Sequence, residues 1–373
     1  MRIGIPKETT QEEKRVALAP AGIDTLVKSG HTVFIESCAG VGSNFTDDEF
    51  RKAGAHIVCN AEEVFNRAEM IIKITRLTEA EAAIMQKEQI IFSFLHLCTS
   101  RKKIIEQLIR KKNTAIAFEL IERDDDLPVL RSMSEIAGQL SIQVAERYLE
   151  SELPVSRGIL MGGIIGVAPA TVVIIGAGTV GTSAARTALG CGAQVIVIDK
   201  DLSRLKKIDD YFQKRVSTVI ANPYTISRGV KLADVLIGAV LIKGEKVPRI
   251  VTEDMVKTMK RGAVIVDVSI DQGGCVETSH PTSLSDPVFV KHDVIHFCVP
   301  NMPAIVSRTA SYGMTNASLD YILSIADHGL SNALLGDDGL AKGVCTYNGF
   351  CSNENIAETF NLEYRRLRIF STN

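Results

Sequence analysis

Residues 171–181 read TVVIIGAGTVG, an apolar run that ends in Gly176-x-Gly178-x-x-Gly181 and passes into an alanine-rich stretch. The run has the character of a buried strand, the glycines of a tight turn, and the alanines of a helix packed back on the strand. In such a unit the first glycine permits the turn, the second lets the backbone approach a pyrophosphate, and the third allows close helix packing. Unpaired N–H groups at the helix N-terminus then face the anion. A second strand, QVIVID, ends in Asp199, which stands 18 residues after Gly181. An acid at an offset of about 20 residues is the expected acceptor for ribose hydroxyls. The pattern therefore predicts a dinucleotide site at Gly176, Gly178, Gly181 and Asp199. NAD is favoured over NADP, because a carboxylate repels a 2′-phosphate; Lys200 and Arg204 are near enough in sequence to soften that repulsion.

The same alternation of apolar runs and amphipathic stretches extends along most of the chain, the pattern of parallel strands joined by crossover helices. Before the glycine turn, strands are expected at residues 2–6, 31–36, 55–58, 70–75, 90–95 and 114–119, with helices at 20–29 and 100–112. The acidic segment 123–128 breaks the pattern and precedes a long helix over 134–150, with Ser134 as its N-cap. Strands at 171–175, 194–199, 217–220, 235–239, 263–268 and 295–299 form a second series, followed by a helix over 306–328 and a mostly polar tail. Within VLIGAVLIKG, Gly238 and Ala239 close a strand, where small residues leave room for a ligand or for a packed helix. The expectation is an α/β protein of two doubly wound, Rossmann-like domains. The first is discontinuous, formed by residues 1–129 and completed by C-terminal helices in 307–373, and the dinucleotide domain, 130–306, is inserted into it.

Composition narrows the function classes. The 42 basic and 44 acidic side chains of the 373 residues leave a formal charge of −2, which gives no electrostatic footprint for nucleic acid. No apolar run approaches the roughly 18 residues of a membrane span, and the opening MRIGIPKE lacks the apolar region of an export signal. The eight cysteines include no CxxC pair, so reduced thiols in a cytoplasmic protein are expected rather than a disulfide framework or a metal site.

Several strings converge on one family: MRIGIPKE with Arg15 in KRVALAP, GHTVFIESCAGVGSNFTDDEF, FSFLHL, MSEIAG, GAGTVG, IGAVLI, VDVSIDQGG and VPNMP. Together they closely resemble the alanine dehydrogenase family and its relative, the NAD-binding subunit of proton-translocating transhydrogenase. The resemblance runs in order from Met1 to about Lys342. It implies a two-domain fold whose N-terminal domain is completed by C-terminal helices, and a cytoplasmic homohexamer. The implied reaction is reversible, NAD-linked oxidative deamination of alanine to pyruvate and ammonia.

The resemblance also assigns roles. Arg15 is the candidate clamp for the substrate carboxylate; without the family it reads as a solvated charge. His96, beyond an apolar strand, is the candidate proton shuttle, and a structural histidine is the alternative. Asp271 is the candidate proton acceptor or iminium stabiliser and also a cofactor contact, and a turn or helix cap is the other reading. Asn301 and Met302, with Val299 before them, would line the nicotinamide pocket; Asn301 would also meet the substrate. Thr179 and Val180 of the glycine turn and Val240 and Leu241 of IGAVLI would add cofactor contacts, with Arg204 near the ribose. Ser134 would donate to the phosphates from its helix N-terminus, though capping explains it equally.

One position departs from the family. Its members carry KVKEP where this chain has Lys73-Ile74-Thr75-Arg76-Leu77, so the second lysine, a substrate-binding group, is Thr75 here. A hydroxyl cannot replace an ammonium in polarising a carbonyl, at a cost of about 1.5–3 kcal/mol or more for a lost charged donor. Alternation along a strand would set Arg76 on the opposite face from Thr75. The alternatives to alanine deamination are therefore a dehydrogenase for another small amino or oxo acid, and an NAD-binding homologue with weakened catalysis.

Overall fold

The computed structural model describes residues 1–10, 12–97, 100–242 and 247–368. The last two residues of the VLIGAVLIKG string, and Cys98, lie outside them. The chain divides into two compact units, one of residues 1–133 with 304–373 and the other of residues 134–303.

The first unit is built on an eight-stranded sheet. Its parallel part comprises β1 (Arg2–Ile5), β2 (Thr32–Glu36), β3 (His56–Val58), β4 (Met70–Ile72), β5 (Ile90–Ser93) and β6 (Thr114–Ala117) in the order 3-2-1-4-5-6. This is a doubly wound order, with its topological switch point between β1 and β4. Strands β4, β5 and β6 are buried throughout, as continuous apolar runs with helices on both faces should be.

The second unit repeats the plan in a seven-stranded sheet. Here β7 (Thr171–Ile175), β8 (Gln194–Asp199), β9 (Ser217–Ile220), β10 (Val235–Gly238) and β11 (Val264–Asp267) are followed by β12 (Val288–Lys291) and β13 (Val294–Phe297). The order is β12-β13-β11-β10-β7-β8-β9, with β12 alone antiparallel and the switch point between β7 and β10.

The tail is not merely polar. Strands β14 (Val344–Tyr347) and β15 (Phe350–Cys351) extend the first sheet beyond β6 as an antiparallel hairpin. Helix Ser307–His328 also returns to the first unit. Its Ser311 and Thr315 hydroxyls accept from the backbone N–H groups of Val16 at 3.0 Å and Ala19 at 2.8 Å.

Two sequence expectations need correction. The long helix is Pro128–Leu149, so Ser134 lies inside it rather than at its N-cap. Proline at the first turn starts this helix six residues earlier than the serine suggested. Strand β4 stops at Ile72, not at residue 75, and the face-alternation argument separating Thr75 from Arg76 does not hold there. The cause is tertiary: the Glu8 carboxylate accepts the backbone N–H of Ile74 at 2.5 Å and that of Thr75 at 3.3 Å, taking them out of the ladder.

Candidate active site

Doubly wound sheets bind ligands beyond the carboxyl ends of their strands, near the switch point. Several of the singled-out residues follow strands at their carboxyl ends: His96 after β5, Gly176 after β7, Asp199 closing β8, Val240 after β10 and Asp271 after β11; Ser134 and Arg204 lie within helices instead.

In the first unit, Glu8 follows β1 and Lys73 and Thr75 follow β4, the two strands flanking the switch point. Glu8, Lys73 and Glu81 are buried. Lys73 Nζ donates to Glu8 at 3.0 Å, to Thr75 Oγ1 at 3.2 Å and pairs with Glu81 at 3.1 Å, which uses its three protons. Burial works against the charge on Lys73, but Glu8 and Glu81 outweigh it and hold its pKa above the ordinary lysine value. Thr75 Oγ1 donates to Glu8 and accepts from Lys73 and from Thr10 Oγ1, the latter at 3.3 Å. One donor and two acceptors exhaust a hydroxyl. Thr75 is therefore a half-buried junction among the protein's own groups, and a substrate donor reaches its hydroxyl by displacing Thr10 or Lys73.

Three further contacts draw the flanking segments together. Thr75 O accepts from Ser93 Oγ at 2.6 Å, at the end of β5. Three residues on, His96 has φ of 43°, an uncommon conformation for a residue with a side chain, and its ring is half exposed. The Glu119 carboxylate, beyond β6, accepts the N–H groups of Leu95 at 3.2 Å and His96 at 2.7 Å, and lies 3.8 Å from His96 Nδ1. It both fixes the turn and faces the imidazole. Arg15 is buried, its Nε and Nη2 gripped by Glu13 at 2.7 and 2.5 Å, with Nη1 3.3 Å from Met133 Sδ.

In the second unit the glycine turn has the shape of an anion cradle. Gly176 has φ of 111°, and a Cβ there would sit 2.3 Å from the carbonyl oxygen of Ala239, across the switch point. A Cβ on Gly181 would lie 1.9 Å from Gly176 O. At Gly178, by contrast, nothing lies within 4 Å of the missing Cβ. Gly178 is also the N-cap of helix Thr179–Gly190 and supplies no side-chain cap, so Thr179 and Val180 open the helix toward that space. A dinucleotide pyrophosphate fits this geometry: backbone donors, a helix N-terminus and no side chain in the way.

Asp199 is buried at the end of β8. Its carboxylate accepts the N–H of Ala177 at 2.6 Å and of Asp201 at 2.8 Å, leaving about two of its four acceptor positions for hydroxyls. Arg204 lies in the next helix, 3.6 Å from Asp201 rather than on Asp199. Beyond β10, the Val240 N–H donates to Ser269 Oγ at 2.9 Å, and Leu241 is half exposed. Beyond β11, Asp271 accepts the N–H of Asn301 at 2.9 Å, and Asn301 has φ of 55°. Val299 and Met302, either side of it, are buried. Ser134 shares its helix with Gly138, whose missing Cβ would meet Val180 O at 2.4 Å, so MSEIAG packs directly on the helix that starts at the glycine turn. The sequence reading missed Glu8, Glu13, Glu81 and Glu119, whose work is to hold the residues it did single out.

Comparison with known proteins matches residues 4–137 to the alanine dehydrogenase/PNT N-terminal domain and residues 141–354 to the C-terminal domain of the same family. The chain is 45% identical over 366 residues to an alanine dehydrogenase of Methanococcus maripaludis, covering 98% of each. It is 44% identical over 367 residues to alanine dehydrogenase 2 of Staphylococcus aureus, again covering 98% of each. Among solved structures, an L-alanine dehydrogenase superposes with a TM-score of 0.91 at 44% identity, covering 97% of this chain and 99% of the other.

Proposed function

The chain belongs to the alanine dehydrogenase/PNT family, and from that premise we propose that it is the NAD-dependent enzyme of reversible L-alanine deamination. The observation that carries this is the placement of His96 and Asp271 just beyond the carboxyl ends of β5 and β11, and of the open glycine turn beyond β7, with a buried Arg15 in the segment between β1 and the first helix.

L-Alanine, NAD and water give pyruvate, ammonium, NADH and a proton. When bound, NAD supplies the hydride acceptor. The N–H groups at the start of helix Thr179–Gly190 hold its pyrophosphate, and Asp199 accepts from the ribose hydroxyls. Arg15 binds the substrate carboxylate: Glu13 fixes one edge of the guanidinium, and the Nη1 contact with the weak Met133 acceptor is the one a carboxylate replaces. His96 first takes a proton from the substrate ammonium and passes it to solvent, and the nitrogen lone pair then forms the C=N bond of an iminium as the Cα hydride leaves. The neutral imidazole next takes a proton from the water that adds to the iminium carbon and gives it to nitrogen, and ammonia leaves as the carbinolamine hydroxyl loses its proton to form the carbonyl and ammonium. Asp271 stabilises the positive charge that develops at nitrogen. Asn301 N–H, donating to Asp271, keeps the carboxylate in place.

The same reading takes the protein as a cytoplasmic homohexamer. Its support is a tight turn in the second unit where Leu160, Ile164, Ile165 and Val167 are all exposed, Ile165 completely. The deciding experiment follows NADH absorbance with L-alanine and NAD, and with pyruvate, ammonium and NADH. Turnover in both directions is expected; NADH binding without turnover on any small amino acid would defeat the reading.

A further inference from the structure

We propose that Asp267, at the end of β11, is a positioning residue for the catalysis: its buried carboxylate clamps the loop 268–274 and so sets where Asp271 stands. This rests on the catalytic reading of Asp271 given above.

A carboxylate in this position is costly, because its charged form loses hydration. Burial raises the pKa of Asp267, against the Val276 and Cys275 N–H groups that lower it. Yet the surroundings are shaped to hold it. Its Oδ2 accepts the N–H of Cys275 at 3.0 Å and of Val276 at 3.1 Å, so one side chain spans the loop and fastens its far end to its near end. Two glycines make room: a Cβ on Gly238 would lie 2.8 Å from Oδ1, and one on Gly274 would lie 2.8 Å from Oδ2. Arg249 braces the far end by donating to the carbonyls of Gly274 at 3.2 Å and Val276 at 2.8 Å.

What the clamped loop delivers is polar. Ser269 holds the Val240 N–H beyond β10, and Asp271 holds the Asn301 N–H beyond β13. A loop serving only to turn the chain needs neither side chain. With one residue fixing both ends of a seven-residue loop, a small displacement at position 267 is carried to Asp271, where proton and charge chemistry depend on placement.

The test is a double-mutant cycle on the full-length enzyme. Asp267→Asn keeps the shape and one acceptor but removes the charge. Gly238→Ala disturbs the carboxylate from outside the loop, which covers the case in which the first variant does not fold. Each is expected to lower kcat about ten-fold or more and to shift the pH profile of kcat/KM, with the alanine KM within about three-fold of wild type. In an Asp271→Asn background, neither is expected to lower kcat further by more than about two-fold, because a residue acting through another has nothing left to act on. Multiplicative effects in the cycle, or Asp267→Asn at wild-type kcat and pH profile, would overturn the clamp while leaving Asp271 catalytic. An Asp271→Asn enzyme with wild-type kcat would overturn both.

Discussion

Thr75 donates its only hydroxyl proton to the buried carboxylate of Glu8, the group that also receives Lys73. Two carboxylates, Glu8 and Glu81, thus face one ammonium, and the family's lysine at position 75 is absent. Thr75→Lys places a cation against the surplus carboxylate and restores a donor for a carbonyl. It is expected to raise kcat/KM for pyruvate about ten-fold, the equivalent of ~1.4 kcal/mol. Steady-state kinetics in the aminating direction checks this; an unchanged or lower value means that Arg15 alone suffices at this site.

NADH is expected to bind more tightly than NADPH. Asp199 keeps acceptor capacity for the ribose hydroxyls, and Arg204 is drawn to Asp201 rather than offered to a 2′-phosphate. Asp199→Ala should narrow the gap chiefly by weakening NADH, as read by fluorescence titration. Equal affinities in the wild type would assign that corner to Lys200.

His96→Ala and Asp271→Asn are each expected to reduce kcat by about 100-fold or more, since a positioned acid–base group contributes 10²–10⁴-fold. NADH affinity should stay within a few-fold of wild type, because neither role requires the cofactor. Full turnover in either variant removes that residue from the mechanism.

The exposed turn gives an assembly prediction. Ile165→Glu puts a charge on a side chain with no covering neighbour in its own chain, so the isolated protomer should fold normally while the oligomer dissociates. Sedimentation velocity reads this directly: a variant that sediments with the wild type excludes the turn as an interface.

His296 makes stability depend on pH. It is buried, bonded to Thr278 Oγ1 at 2.7 Å and to the Val294 carbonyl at 3.0 Å, and stacked on Phe289. Burial lowers its pKa from 6.5 to about 4, the Val294 carbonyl opposing and the charges of His280, Lys291 and His292 adding to the fall. The folded pKa lies below the unfolded one, so the unfolded chain takes the proton first as the solution is acidified. The contribution is whole above pH 6.5 and is lost between there and about 4, amounting to roughly 3 kcal/mol. Urea midpoints across that range should fall for the wild type and fall less for His296→Gln.

The fold was legible where local signals were self-contained. Strands β7, β8 and β9 begin and end where their apolar runs meet turn residues. The end of β4 was not legible, because Lys73-Ile74-Thr75 continues the alternation and only the distant Glu8 removes its N–H groups. The hairpin of β14 and β15 was missed for a related reason: strands of four and two residues carry little signal of their own, and their partner, β6, lies more than 200 residues away. At the site, the glycine turn and Asp199 announced themselves through spacing. The buried acids did not, since Glu8, Glu13 and Glu119 act on neighbours that only folding supplies; Glu8 and Glu13 stood within or beside quoted strings without drawing notice.

The return of the C-terminal segment to the first sheet has a consequence for biosynthesis. Strand β6 is finished by residue 117, but its neighbour β14 begins at residue 344. At roughly 5–20 residues per second, the ribosome needs many seconds to supply the missing edge. The segment of residues 134–303 is meanwhile synthesised whole and can fold while the earlier part waits with its edge unpaired, along with the Val16 and Ala19 N–H groups that await helix Ser307–His328. An unpaired apolar edge is a template for joining another chain. The nascent protein is therefore most exposed to misassembly late in translation, and a premature stop before residue 344 leaves a finished dinucleotide unit attached to an unfinished partner.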